Sequence, residues 1–175
     1  ATANRWFSQN KKPMGYVPSI LDIGSGLCVF LHRIKQEHGW KGTALDPDPR
    51  SCEHAKTVVG VDVIEGDLLE IKATRKFDVV SLNKVIEHSK YPIQMLKSAR
   101  DYLDTNGLMY IEVPDAECAL EEGPEREEFT IDHPHVFSVS SLSICIERAG
   151  LKLISMERLK EASTKYTLRA FVTKA

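Results

Sequence analysis

The sequence predicts an α/β fold in which a mostly parallel, doubly wound sheet ends in an antiparallel hairpin. Over the first two thirds, short apolar β-rich runs alternate with segments of helical period, which is the signature of βαβ units. In the last third, a helical segment leads into two extended runs joined by a short turn, and strands joined that way pair antiparallel. At 175 residues the chain has the length of one domain and can bury a substantial apolar core.

The predicted strands are residues 20–23, 43–45, 61–64, 77–82 and 108–113, each too short and too apolar to be an independent helix. Between them, Val29, Phe30 and Ile34, and later Ile93, Leu96, Ala99 and Leu103, recur at spacings of three and four. Such stripes place helices over both faces of the sheet. A third helix is expected near 47–56, where Asp46-Pro47-Asp48-Pro49 offers helix-start chemistry and Asp48 suits the cap. Asn106-Gly107 tolerates left-handed geometry and is expected to end the helix carrying Leu103. Residues 138–149 read as a helix capped by Ser138 and closed by Gly150, with 151–158 and 166–173 forming the hairpin.

Two segments stand outside this scheme. Residues 1–18 form an N-terminal segment in which Arg5, Trp6 and Phe7 suit either a helix folded over the cofactor as a lid or simple packing, and Lys11, Lys12 and Pro13 a solvated connection. Residues 19–175 form a single domain, interrupted at about 115–128 by an acidic insertion. There Asp115, Glu117, Glu121, Glu122, Glu125, Glu127 and Glu128 face a single Arg126, with Gly123-Pro124 between them. An exposed, solvated loop or short helix is expected, the alternative being a lid over the substrate.

Composition narrows the function. The net charge of −2 lacks the basic excess that neutralises phosphates, so no nucleic-acid partner is expected. No apolar run approaches bilayer length, so no membrane partner is expected either. Cys28, Cys52, Cys118 and Cys145 show no CxxC spacing and read as reduced thiols of a cytoplasmic protein without a secretion signal. The chain begins at Ala1, which leaves open a lid or domain before it.

The chemistry begins at Ile20-Leu21-Asp22-Ile23-Gly24-Ser25-Gly26-Leu27-Cys28, where a strand, a glycine turn and a helix start follow one another. Glycine lets backbone approach a ligand closely, although such turns also close α/β units that bind nothing. The next strand ends at Asp46, 22 residues after Gly24, near the spacing at which an acidic side chain receives ribose hydroxyls. Gly66-Asp67-Leu68 places another carboxylate at a strand's C-terminal edge, where open α/β sheets bind ligands. Together these loops point to an adenosine-containing ligand.

This ordered set resembles the class I S-adenosylmethionine-dependent methyltransferases, whose fold is a Rossmann-like seven-stranded sheet. Besides the loops above, the resemblance rests on Phe-Asp-Val-Val at 77–80, Val-Ile-Glu-His at 85–88 and Asn-Gly-Leu-Met-Tyr-Ile-Glu-Val-Pro at 106–114. It runs from about residue 20 to 172 and is nearest to the small-molecule branch, which acts on quinone, sugar and secondary-metabolite intermediates. The resemblance implies S-adenosylmethionine as cofactor, S-adenosylhomocysteine as product, a small-molecule methyl acceptor, and a monomer or homodimer. It implies that Gly24, Ser25 and Gly26 face the methionyl part and that Asp46, beside Pro47, binds the ribose. Asp67 and Leu68, after Gly66, would read the adenine, Asp22 would orient the loop, and Asn83 with Lys84 would line the sulfonium. One departure stands out. The family usually has a third glycine where this chain has Cys28, whereas a dinucleotide fingerprint would need one at Val29. An NAD-dependent oxidoreductase is therefore the rival enzyme, and a methyltransferase-like module that only binds is the rival outside enzymology.

At the reacting end, methyl transfer needs mainly alignment and exclusion of water, with a base optional. His88, next to Glu87, stands where the fourth strand opens and is either a contact for the acceptor or a brace for the loop. The second candidate lies in Asp132-His133-Pro134-His135-Val136-Phe137-Ser138. Pro134 favours an extended His133, so His133 and His135 would share a face. With Asp132 they would still need ligands from elsewhere to complete a metal site, and no metal is expected. By resemblance, His135 lines the substrate.

Overall fold

The computed structural model describes Arg5, Trp6 and residues 15–175. Its sheet is formed by β1 (Ser19–Ile23), β2 (Lys41–Asp46), β3 (Asp62–Glu65), β4 (Phe77–Asn83), β5 (Leu103–Pro114), β6 (Leu151–Lys160) and β7 (Tyr166–Lys174), in the order β3-β2-β1-β4-β5-β7-β6. β7 pairs antiparallel with both β5 and β6, while the pairings among β1 to β5 are parallel. The expected Rossmann-like, seven-stranded arrangement with one reversed strand is what forms.

Strand alternation sorts the core onto two faces. Leu21, Ile23, Val80 and Leu82 join one cluster with Leu96 and Ala99 of α3 (Pro92–Tyr102) and Leu142 and Ile146 of α5 (Val139–Arg148). Ile20, Ala44 and Val79 join the other with Leu31 of α1 (Val29–His38) and Ala55, which follows α2 (Pro49–His54). Helix ends follow the expected chemistry. The Asp48 carboxylate accepts from the Arg50 amide at 2.9 Å, and Ser138 and Ser141 form a reciprocal capping box at the start of α5.

Two expectations need correction. Asn106-Gly107 does not end α3, which stops at Tyr102, and neither residue has positive φ. The fully buried Leu103 pairs with Phe77, drawing the chain into the sheet early, and residues 104–107 bow out before Leu108 pairs with Val79. Gly107 serves close approach instead, since a Cβ there would stand 2.7 Å from Leu103 Cδ1.

The acidic insertion is not wholly solvated. Asp115 caps α4 (Ala116–Glu121) in full burial, and Glu128 is also buried. The reason lies in cations from outside the acidic run. Arg158 of β6 meets Asp115 at 3.0 Å and also bonds Glu117, Lys160 meets Glu122 at 2.8 Å, and Lys165 meets Glu127 at 2.9 Å. Arg126 itself holds Glu128 at 2.8 Å.

Of the candidate lid, Phe7, Lys11, Lys12 and Pro13 lie outside the described residues. Trp6 donates its indole N–H to the Asn106 carbonyl at 2.9 Å. Asn106 is near the start of β5, at the end of the sheet away from the carboxyl edge, so the indole does not cover the cofactor pocket.

Candidate active site

Asp46 is where the first three loops meet. Its Oδ2 accepts from the Gly26 amide at 2.8 Å and its Oδ1 from the Asp48 amide at 2.9 Å, while its carbonyl accepts from the Gly66 amide at 3.1 Å. The Gly24 amide donates to the Leu45 carbonyl at 2.8 Å, tying the glycine turn to the end of β2. A carboxylate has about four lone-pair sites, so Asp46 keeps capacity for a ligand. Gly24 is required at its position twice over: φ is +65°, and a Cβ would lie 2.8 Å from Val85 Cγ2.

The resulting cleft, of about 340 Å³, is lined by Ile23, Gly24, Leu45, Asp46, Pro47, Asp67, Leu68, Lys84, Val85, His88 and Met95. Of the expected residues, Gly24, Asp46, Pro47, Asp67, Leu68, Lys84 and His88 are on its wall. Asp22, Ser25, Gly26 and Gly66 are not, and the last two support it by bonding Asp46. Asn83 lines a different cavity, with Phe30, Tyr110 and Glu112, so it does not join the others. Strand alternation decides this: Asn83 is the last residue of β4, and Lys84 follows with φ +56°, redirecting the chain so that Lys84 and Val85 reach the cleft. Met95 went unnoticed in the sequence because its spacing suits a helix stripe as well as a pocket wall.

Asp22 stands just behind the cleft and accepts from Ser81 Oγ at 2.7 Å. Burial, opposed by that bond and reinforced by the charge of Asp46, pushes its carboxyl up to about 7. Cys28, at the position of the missing glycine, is fully buried and sits at φ 56°, ψ 26° as the N-cap of α1. The loop closes with a non-glycine residue in left-handed geometry, at a cost of roughly 1–2 kcal/mol.

Beside the cleft lies a second chamber of about 170 Å³, lined by Lys84, Glu87, His88, Pro114, Glu127, Glu128, His133, Lys165, Tyr166 and Thr167. Lys84 and His88 line both spaces. Lys84 Nζ is held by Glu161 at 2.8 Å and lies 3.8 Å from Glu112. Partial burial raises the Glu161 carboxyl, but bonds from Lys84 and Thr167 outweigh it and bring the group down to about 2. Glu87 is 1% exposed, and its Oε2 has no hydrogen-bond partner among the described residues. Burial pushes its carboxyl above the usual range.

His88 Nδ1 lies 2.8 Å from the Asp132 carbonyl, and His133 Nδ1 lies 3.0 Å from the Glu128 carbonyl. The two rings meet edge to face at 4.8 Å. His135 is not on either wall. Its amide faces the Glu87 carbonyl at 3.4 Å and its ring lies 6.4 Å from that of Phe137. The expected common face of His133 and His135 fails because the His133 amide closes a turn onto the Thr130 carbonyl at 3.0 Å, which breaks the extended alternation.

A cleft at the carboxyl edge of a parallel sheet, bounded by a glycine turn and two acidic loops, with a reversed strand closing the sheet, defines a nucleotide-binding α/β protein of the methyltransferase type. The methyltransferase domain family model matches residues 3–156, and the chain belongs to that family, as a class I S-adenosylmethionine-dependent methyltransferase domain. The NAD-dependent oxidoreductase reading is thereby set aside.

The chain is similar to a ribosomal RNA large subunit methyltransferase F of Psychrobacter sp. (strain PRwf-1), with 30% identity over 105 residues. That match takes in 57% of this chain, which spans only 31% of the relative's length. Among solved structures, it is similar to one of a complex between the Haloferax volcanii Trm112 methyltransferase activator and a methyltransferase chain. There the TM-score is 0.76 and the identity 17%, over 99% of this chain and 88% of that one. It is also similar to the Burkholderia thailandensis 1,6-didemethyltoxoflavin-N1-methyltransferase with bound 1,6-didemethyltoxoflavin and S-adenosylhomocysteine. Here the TM-score is 0.73 and the identity 17%, over 99% of this chain and 76% of that one. No helix among the described residues is long and apolar enough to cross a membrane.

Proposed function

We propose that this domain transfers the methyl group of S-adenosylmethionine to a small molecule, a sugar, quinone-like or secondary-metabolite intermediate, by in-line displacement, as a cytoplasmic monomer or homodimer. The observation that carries this reading is the junction of cleft and chamber at Lys84 and His88. In it the cofactor fills the cleft, with Gly24 against its methionyl part, Asp46 on the ribose, and Asp67 and Leu68 at the adenine. The acceptor fills the smaller chamber, whose size favours a small molecule. In its neutral form, His88 gives its Nδ1–H to the Asp132 carbonyl, so its Nε2 carries the lone pair that would take a proton from a hydroxyl acceptor. Glu87 stands beside it, and His133 takes the chamber position expected of His135.

The ribosomal RNA relative supports a second acceptor class. Against it stand the carboxylates of Glu87, Glu127 and Glu128 on the chamber wall and the net charge of −2, because a polynucleotide acceptor requires cations along its phosphates. Asp46→Ala leaves two loop amides without their acceptor, and calorimetry should show S-adenosylmethionine binding tenfold to hundredfold weaker, about 1.4–2.8 kcal/mol. Unchanged binding would remove Asp46 from the ribose. S-adenosylhomocysteine release should be measured with hydroxylated aromatic, sugar and amine acceptors and, separately, with ribosomal RNA. Turnover with RNA alone would overturn the small-molecule reading.

A further inference from the structure

We propose that Glu87, His88 and His133 form a binding site for a divalent first-row transition cation of the Zn2+ class, at the acceptor end of the active site. One ligand atom from each residue lies within 4.8 Å of the others. Tetrahedral zinc with bonds near 2.1 Å holds its ligand atoms about 3.4 Å apart, so the three side chains must close by up to about 1.4 Å, a movement within reach of side-chain rotation. They come from two separate segments: Glu87 and His88 from the turn after β4, and His133 from the loop before α5.

Two features show that the site is prepared for a cation rather than merely acidic. Each Nδ1 is committed to a backbone carbonyl, Asp132 for His88 and Glu128 for His133, and a carbonyl only accepts. Both rings therefore present Nε2 as the lone pair, with outer partners that fix their orientation as in metal-ligating histidines. The second feature is Glu87, whose side chain is almost wholly buried on the wall of this chamber with Oε2 unpartnered among the described residues. A buried carboxylate in that state lacks the compensation a cation would supply.

The cations already in the chamber do not take that role, because Lys84 is held by Glu161 at 2.8 Å and Lys165 by Glu127 at 2.9 Å. Two imidazoles and one carboxylate are the donors of borderline transition ions rather than of Mg2+ or Ca2+. Three protein ligands leave a fourth position open to the chamber. An acceptor hydroxyl there would be acidified by the ion, losing its proton to solvent because His88 Nε2 is then a ligand and no longer the base, and would be held beside the transferable methyl group. This use of the site rests on the methyl-transfer reading above, whereas its affinity for the ion does not.

The test is calorimetric titration of the chelator-treated full chain with Zn2+ and, separately, with Mg2+. Co2+ is added as a spectroscopic probe. The expected result is one Zn2+ per chain, competition by Co2+ with a visible absorption band, and no comparable uptake of Mg2+. His133→Ala and Glu87→Gln should each weaken Zn2+ binding by at least tenfold. His133 is only half-buried, so its variant serves even where loss of the buried Glu87 charge disturbs folding. His133 does not line the cofactor cleft, and its variant should bind S-adenosylmethionine as the unmodified chain does. Absence of Zn2+ uptake, or equal uptake by the unmodified chain and the His133 variant, would overturn the proposal. Failure of the unmodified chain to bind S-adenosylmethionine would strike the methyl-transfer reading instead and leave the Zn2+ result to stand by itself.

Discussion

On the cofactor side, the loops after β1, β2 and β3 are tied by backbone amides: Gly24 to Leu45, Gly66 to Asp46, and Gly26 to the Asp46 carboxylate. On the acceptor side, the chain is tied by charged side chains. Arg126 holds Glu122 and Glu128, Arg158 holds Asp115 and Glu117, and Lys84 holds Glu161. Backbone ties depend on strand geometry and survive most side-chain changes, whereas each ion pair depends on two particular residues. The contrast teaches that the cofactor half is fixed by the sheet, while the acceptor half is an attachment whose shape can vary with a few charges.

Arg126→Ala tests the acceptor half most severely, because it leaves the buried Glu128 carboxylate with backbone donors such as the Tyr166 amide but without the guanidinium that pairs it. The melting temperature should fall on the order of 5 °C. Arg33→Ala, which breaks the exposed Arg33–Glu37 pair, should change it by about 1 °C or less. Equal shifts in a thermal melt would mean that the buried pair is no more than a surface one.

Asp22 tests the cofactor half. Its folded-state pKa of about 7 stands above its ordinary value, so between about pH 4 and 7 the folded chain binds more protons than the unfolded one. Stability should therefore fall as pH rises through that window, by up to about 1.4 kcal/mol per pH unit from this group. Asp22→Asn keeps the shape and a partner for Ser81 and should remove that part of the slope. Parallel denaturation curves across this pH range for both chains would show that Asp22 ionises normally.

The smallest expected effect concerns Cys28. Cys28→Gly should be more stable than Cys28→Ala by about 1 kcal/mol, because only glycine is relieved at φ 56°. The reverse order in chemical denaturation would mean that the missing glycine carries no strain.

Much of the cofactor half was legible because its signals are local. The glycine turn, Asp46 and Asp67 each mark a strand end, and the βαβ order places strand ends at one edge. Val85 was less legible, since it reaches the cleft through the left-handed turn at Lys84, and so was Met95, whose place on α3 suits a helix stripe as well as a pocket wall. The acceptor half was read least well. Composition marks 115–128 as acidic, but the cations that bury Asp115 and neutralise Glu117, Glu122 and Glu127 come from β6 and the loop before β7, more than 30 residues away.

The sequence by itself determined the family and the alternation of strands and helices that ends in a hairpin, because turn chemistry and strand period act over a few neighbouring residues. Only the tertiary structure decided that His133 rather than His135 meets Glu87 and His88. That choice depends on a turn closing onto Thr130 and on two carbonyls orienting the rings, contacts that residue spacing does not encode.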